Sequence, residues 1–92
     1  MYVYILRSLK CSSQLYVGVT TDINLRLRKH NSGRSFYASK YIPWRVVYSE
    51  LFEDRCSAFQ RERQIKSWTR AKKEALIAGD EVLLKALARR GG

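Results

Sequence analysis

Two short segments near the start of the chain constrain the fold most, because both are rich in β-branched and aromatic residues. Residues 2–7 read YVYILR, residues 15–20 read LYVGVT, and the segment between them is polar and turn-like. This pattern predicts a β-hairpin. Side chains alternate along a strand, so Tyr16 and Gly18 should share one face. A glycine inside a strand is costly, and Gly18 therefore indicates the close approach of another group.

The rest of the sequence predicts helices and one further strand. Capping residues, apolar residues at helical spacing and a Gly-Asp break support the helices. The predicted elements are, in chain order, a helix capped at 21–22 and ending near 31–33, a strand at 45–53, a helix capped at 54 and reaching about 68, a helix from 67 or 69 that is broken at 79–80, and a last short helix near 82–87. The predicted order is β-β-α-β-α-α-α.

The chain is small and strongly basic. Its 92 residues leave room for one domain, and 18 Lys and Arg against 8 Asp and Glu give a formal net charge of +10. In so short a chain this favours a polyanionic partner, nucleic acid before an acidic membrane surface or another protein. Charge alone does not separate binding from catalysis.

The cysteine and histidine counts argue against structural zinc. The two cysteines lie far apart, no C-x-x-C occurs, and there is one histidine. The first residues lack the pattern of a signal peptide, and no stretch approaches the roughly 18 apolar residues of a membrane span. We therefore expect no membrane association and a cytoplasmic location, where a disulfide is not needed.

One carboxylate, Glu62, stands in the apolar stripe of the second predicted helix. The stripe runs through Ala58, Glu62, Ile65 and Thr69 at steps of four, three and four residues. A buried charge is costly unless it is paired or holds a metal ion. From the residues alone, a surface ion pair with Lys66 one turn later remains the alternative.

A second candidate pair lies on the first predicted helix, where Arg26 and His30 are one turn apart and share a face. A guanidinium suits a phosphate, and a histidine can hold a water or take a proton. A solvated basic helix end is the alternative. Tyr4 and Tyr16 could orient a water or accept a proton, or they could be ordinary strand residues.

Taken together, these residues resemble a GIY-YIG nuclease domain, from residue 2 to about 77. The matching positions are the triplets Tyr2-Val3-Tyr4 and Tyr16-Val17-Gly18, the arginine position Arg26, the frequent His or Tyr position His30, and the metal-binding glutamate position Glu62. Segments between residues 30 and 44 are similar to the small stand-alone bacterial members. The resemblance implies an α+β fold, a three-stranded antiparallel β-sheet flanked by helices in the order β-β-α-β-α-α with a short C-terminal helix. The nuclease domain would span 1–79, and a helical extension at 80–92 would pack on the same domain.

The resemblance also implies a metal-dependent endonuclease that hydrolyses phosphodiester bonds, with DNA of the repair or recombination type as the expected substrate. Glu62 would hold Mg²⁺ or Mn²⁺, and Arg26 would neutralise charge on the phosphorane. Tyr4 or Tyr16, helped by His30, would orient or deprotonate the attacking water; the sequence leaves open which tyrosine is the base. The expected nucleic-acid contacts are Lys40, Tyr41, Arg61 and Lys66. A protein partner is a possible source of sequence specificity.

Three positions depart from the family pattern. Tyr2 stands at the glycine of the first triplet, Val19 replaces a lysine found in the excision-repair incision subunit, and Glu74 stands where several members have asparagine. Two other functions therefore remain open. One is a non-catalytic nucleic-acid-binding module, which a cleavage assay with Mg²⁺ or Mn²⁺ would separate from an enzyme. The other is an adaptor that docks through the leucines of residues 83–87.

Overall fold

The computed structural model describes residues 1–33 and 40–80, together with residues 82, 85 and 86. The elements are β1 (Tyr2–Ser8), β2 (Leu15–Thr20), α1 (Ile23–Asn31), β3 (Trp44–Leu51), α2 (Arg55–Lys66) and α3 (Arg70–Ala78). They confirm the predicted α+β fold and the order β-β-α-β-α-α. The expected last short helix lies mostly outside the described residues. Among the residues that are described, no helix is long and apolar enough to cross a bilayer.

The sheet has the order β2-β1-β3, so the first strand of the hairpin lies in the middle. It pairs antiparallel with both neighbours, and Tyr4 stands opposite Gly18 on one side and Ser49 on the other. A register irregularity interrupts the β1–β3 ladder between Ile5 and Leu6. Because β1 has a partner on each edge, it supplies the most deeply buried residues of the sheet.

Alternation along β1 divides the core into two clusters, one on each face of the sheet. On one face, side chains of β1 and β2 pack against α2 and α3, in a cluster made of Val3, Ile5, Val17, Ala58, Ile65 and Leu76. On the other face, Tyr4, Leu6 and Trp44 pack against α1 through Ile23 and Leu27. The sheet is therefore covered by α1 on the tyrosine face and by α2 and α3 on the opposite face.

The bounds of two predicted elements were wrong by one or two residues. β3 covers 44–51 rather than 45–53, because Leu51 pairs with Tyr2, the first residue of its partner strand. α2 ends at Lys66 rather than near 68, since the backbone N–H of Trp68 donates to the Ile65 carbonyl, a bond of the tighter i to i+3 type. The chain then turns at once into α3.

Side-chain caps begin all three helices, as the sequence predicted. Asp22 accepts a hydrogen bond from the Leu25 N–H at 3.0 Å and Asp54 from the Ser57 N–H at 2.7 Å. Between the two candidates for the third cap, the structure uses Thr69, whose side chain accepts from the backbone of α3. α3 ends at Gly79, which adopts the left-handed conformation with a φ of 72°.

Asn31, the last residue of α1, is bonded to the first residue of β3. Its Nδ2 donates to the Trp44 carbonyl at 3.1 Å, and its Oδ1 accepts from the Trp44 N–H at 2.6 Å. Trp44 is only 2% exposed, so water cannot easily replace these bonds. This amide therefore holds the end of α1 against the start of β3.

We expect Asn31→Ala to lower the free energy of unfolding by about 2–3 kcal/mol, because two backbone groups of a buried residue lose their partner. Urea denaturation followed by circular dichroism measures the change. Asn24→Ala is the matched control, since Asn24 is an exposed residue of the same helix. Equal stability of the two variants would contradict the structural role of Asn31.

Candidate active site

Three aromatic side chains from β1, β2 and α1 converge on one face of the sheet. The Tyr4 hydroxyl lies 3.5 Å from Nε2 of His30. The Tyr16 ring stands edge-on to His30 with 4.5 Å between the centroids, and its centroid is 6.3 Å from that of Tyr4. The structure thus brings together three residues that the sequence separates by as many as 26 positions.

Gly18 makes room for this cluster. A Cβ atom at Gly18 would lie 2.7 Å from the Tyr4 hydroxyl oxygen, 2.9 Å from Tyr4 Cζ and 3.1 Å from Tyr16 Cε1. Distances this short are not tolerated without movement of the neighbours. The expectation that another group approaches this glycine closely is confirmed, and that group is the Tyr4 ring itself.

Two charges act on the Tyr4 phenol from helices on opposite faces of the sheet. Burial is the main cause that raises the pKa of Tyr4 well above its usual range, and the neighbouring Tyr16 and the Glu62 carboxylate raise it further. The guanidinium of Arg26 acts in the opposite direction and lowers this pKa. The side chains of Arg26 on α1 and Glu62 on α2 are therefore both within electrostatic reach of the aromatic cluster.

His30 is buried, and burial lowers the pKa of its imidazole, with a smaller lowering by the Arg26 guanidinium. The neutral ring is thus favoured near neutral pH. Its Nε2 lies near the Tyr4 hydroxyl, whereas its Nδ1 is buried and has no hydrogen-bond partner among the residues that the structure describes. A neutral imidazole can accept the proton of a neighbouring hydroxyl group.

Glu62 lies at the margin of the buried face of α2. Ala58 and Ile65 on that face are fully buried, and the Glu62 side chain is 14% exposed. The expected stripe ends at Ile65, since Thr69 is exposed and caps α3 after α2 has stopped. The Lys66 ammonium lies 3.5 Å from Oε2 of Glu62, so the ion pair that the sequence left as an alternative is formed.

The residues around Glu62 suit a hard divalent cation that takes few of its ligands from the protein. Within the described ranges, no group of three or more His, Cys, Asp or Glu side chains could enclose a metal ion. A single carboxylate with little exposure fits Mg²⁺ or Mn²⁺, because Mg²⁺ keeps several waters and takes oxygen ligands from a phosphate substrate. Zinc would need more nitrogen or sulfur ligands than this site offers.

Of the four expected nucleic-acid contacts, the Lys66 side chain lies beside that of Glu62, whereas the Arg61 side chain turns towards β3. Arg61 points to the β3 side of α2, where its Nε donates to Glu50 at 3.1 Å and its guanidinium lies 5.1 Å from the centre of the Trp68 ring. Lys40 is exposed, in the segment before β3. Tyr41 is half-buried and packs edge-on against Trp44. The expected contacts are therefore spread over two sides of the domain.

Trp44 is a member of the cluster that the sequence reasoning missed. It is buried beside Tyr16 and His30, with ring centroids 6.4 Å and 6.5 Å away. Its position just before a predicted strand made it look like a loop residue.

Glu74, at the position where several family members have asparagine, pairs with Arg7 of β1 through both carboxylate oxygens. This pair joins α3 to β1.

The fold and this set of side chains define a class of nuclease domain. Residues 1–75 match the family model of the GIY-YIG catalytic domain, so the chain belongs to the GIY-YIG family, a superfamily of nucleases. It is 44% identical to a UPF0213 protein of Haloquadratum walsbyi over 77 residues. The aligned segment covers 82% of this chain and 83% of that protein. A UPF0213 protein of Staphylococcus aureus is 42% identical over 78 residues, covering 83% and 92% respectively. The solution NMR structure of a UPF0213 protein from Bacillus halodurans is similar with a TM-score of 0.52 and 36% identity, covering 86% of this chain and 83% of that one.

Proposed function

We propose that this protein is a Mg²⁺- or Mn²⁺-dependent endonuclease that hydrolyses phosphodiester bonds, with DNA as its substrate. The observation that carries this proposal is the convergence of Tyr4, Tyr16 and His30 at a place where the charges of Arg26 and Glu62 both act. Metal-dependent phosphodiester hydrolysis needs a carboxylate that binds the metal ion, a cation that binds the phosphate and a group that orients or deprotonates water. The aromatic cluster would supply the last of these, and Arg26 and Glu62, both within electrostatic reach of Tyr4, would supply the cation and the carboxylate.

The two tyrosines take different roles in this proposal. Tyr4 is 2% exposed, its pKa is raised, and its hydroxyl group faces His30, so it stays protonated and positions the imidazole. Tyr16 is half-buried and therefore accessible to a water molecule. We assign to Tyr16 the orientation or deprotonation of the attacking water, with the His30 ring in edge contact beside it.

Glu62 would hold the divalent ion, which supplies charge stabilisation for the leaving 3′ oxygen. The ion pair with Lys66 is compatible with this role, because the lysine side chain is 53% exposed and free to turn towards a phosphate oxygen. The pair opens at small cost on the lysine side, because the exposed Lys66 ammonium can be hydrated when it leaves Glu62.

Arg26 is exposed on α1 and would bind the scissile phosphate with both arms of its guanidinium. We expect Arg26→Lys to reduce the cleavage rate about 10- to 100-fold, because an ammonium keeps the charge but loses the two-point contact. Single-turnover cleavage measures this rate. Arg28→Lys is the control, since it lies about 200° around the helix from Arg26. Equal losses for both variants would contradict a specific role of the Arg26 guanidinium.

The proposal is tested with labelled single-stranded, duplex, nicked and branched oligonucleotides of DNA and RNA, incubated with Mg²⁺, Mn²⁺ or EDTA. Cleavage that requires the metal ion and is lost in Glu62→Gln supports the proposal. The same panel identifies the preferred substrate and the cut position.

A second candidate function is a nucleic-acid-binding module without catalysis. It is favoured by the ion pair of Glu62 with Lys66, which already neutralises the carboxylate, and by the engagement of Glu74 with Arg7 at the position of the usual asparagine. This function predicts metal-independent binding and no cleavage of any substrate in the panel. The leucines proposed for an adaptor role lie outside the described residues.

A further inference from the structure

One side of α2 carries a row of residues that runs past Glu62. Arg55, Phe59, Glu62 and Lys66 follow one another at steps of four, three and four residues, so they form a continuous stripe on the helix surface. We call these four residues the α2 ridge. The ridge is about 16 Å long from end to end, because a helix rises about 1.5 Å per residue.

Phe59 is the unusual member of the α2 ridge. Its side chain is 42% exposed, and it belongs to neither of the two core clusters. The other large exposed hydrophobic residues of the described part are aliphatic: Leu9, Leu25, Leu51 and Val82. An aromatic ring is thus presented to solvent one turn from the carboxylate of the candidate active site.

The charges around Phe59 favour a nucleic acid as its partner. Arg55 precedes it by one turn and Lys66 follows it by two, and both are exposed. An aromatic face between basic side chains is the arrangement with which proteins bind single strands, since the cations contact the backbone and the ring stacks on a base. A base within a continuous duplex is stacked on its neighbours and does not offer its face to such a ring.

We propose that Phe59 stacks on an unpaired base next to the phosphate that the active site cuts. The substrate is then a single strand, or a strand with an unpaired nucleotide at a flap, gap or branch. Arg55 and Lys66 bind the phosphates on either side of the stacked nucleotide. This inference rests on the proposed function, because it takes the nucleic acid to lie across Glu62.

The test compares Phe59→Leu with Phe59→Trp by fluorescence anisotropy in EDTA, where binding is measured without cleavage. The probes are a fluorescein-labelled single-stranded DNA and the blunt duplex of the same sequence. We expect Phe59→Leu to weaken single-strand binding about 5- to 100-fold, the effect of losing one base–aromatic contact, and to change duplex binding little. Phe59→Trp should bind the single strand as tightly as the wild type or more tightly.

Leu51→Ala is the matched control, since it removes another exposed apolar side chain, 67% exposed, at the end of β3. Unchanged single-strand binding by Phe59→Leu, or equal losses for single strand and duplex, would overturn the stacking proposal and leave the nuclease proposal standing. Absence of any nucleic-acid binding by the wild type would overturn both. Thermal melting checks that each variant is folded.

Discussion

Replacement of Glu62 by glutamine is expected to lower metal-dependent cleavage about 10³-fold, since several kcal/mol of charge stabilisation are lost with the metal ligand. Glutamine keeps the shape of the side chain but removes its negative charge. Binding of Mn²⁺, measured by electron paramagnetic resonance or calorimetry, should weaken in parallel. Binding of nucleic acid in EDTA should be unchanged or slightly tighter, because a charge that repels phosphate has been removed.

Stability should change little in Glu62→Gln, because the Lys66 side chain is 53% exposed and its ammonium can be hydrated when the carboxylate is removed. Glu53→Gln is the control, since Glu53 is an exposed carboxylate just before α2. Glu62→Gln with wild-type cleavage would remove the metal assignment. Wild-type Mn²⁺ binding without cleavage would show that the ion is held elsewhere.

Gly18→Ala is expected to have the second-largest effect, on stability and cleavage together. The added methyl group would enter the space of the Tyr4 ring and touch Tyr16, and Tyr4 is too deeply buried to move freely. Overpacking of this kind costs about 1–3 kcal/mol, equivalent to about 4–8 °C in melting temperature per kcal/mol for a domain of this size. Displacement of the tyrosines by about 1 Å is expected to slow cleavage about 100-fold.

Gly79→Ala separates the two effects. Gly79 has a φ of 72° and open space around it, so alanine there costs about 1 kcal/mol through the backbone alone and should leave cleavage by the folded protein unchanged. Adding Tyr4→Phe to Gly18→Ala removes the closest clashing atom and should recover part of the lost stability. Thermal melting and cleavage below the melting temperature provide both readouts. A Gly18→Ala protein with wild-type stability and rate would contradict the packing of the tyrosines.

Sequence patterns predicted the elements of this fold well, because their signals are local. The caps at Asp22 and Asp54 and the break at Gly79 act within one helical turn, and the structure confirms all three. The ends of β3 and α2 were less well predicted. A strand end depends on where the partner strand runs out, and that partner is distant in sequence.

For the candidate site, the residue types were readable from the sequence, but their neighbours were not. Alternation and spacing placed Tyr16 with Gly18 and Arg26 with His30. The pattern could not assign a side to Arg61, which the structure pairs with Glu50 of β3. Nor could it identify Trp44, whose burial depends on contacts with three separate elements.

By itself, the sequence determined the α+β order of elements and the basic charge. These follow from periodicity, capping and composition, which are properties of neighbouring residues. Only the tertiary structure decided that Tyr4 packs over Gly18 against His30 and that Arg61 pairs with Glu50 of β3. Such contacts depend on how the sheet and its helices exclude water together, and no local stretch of chain contains that information.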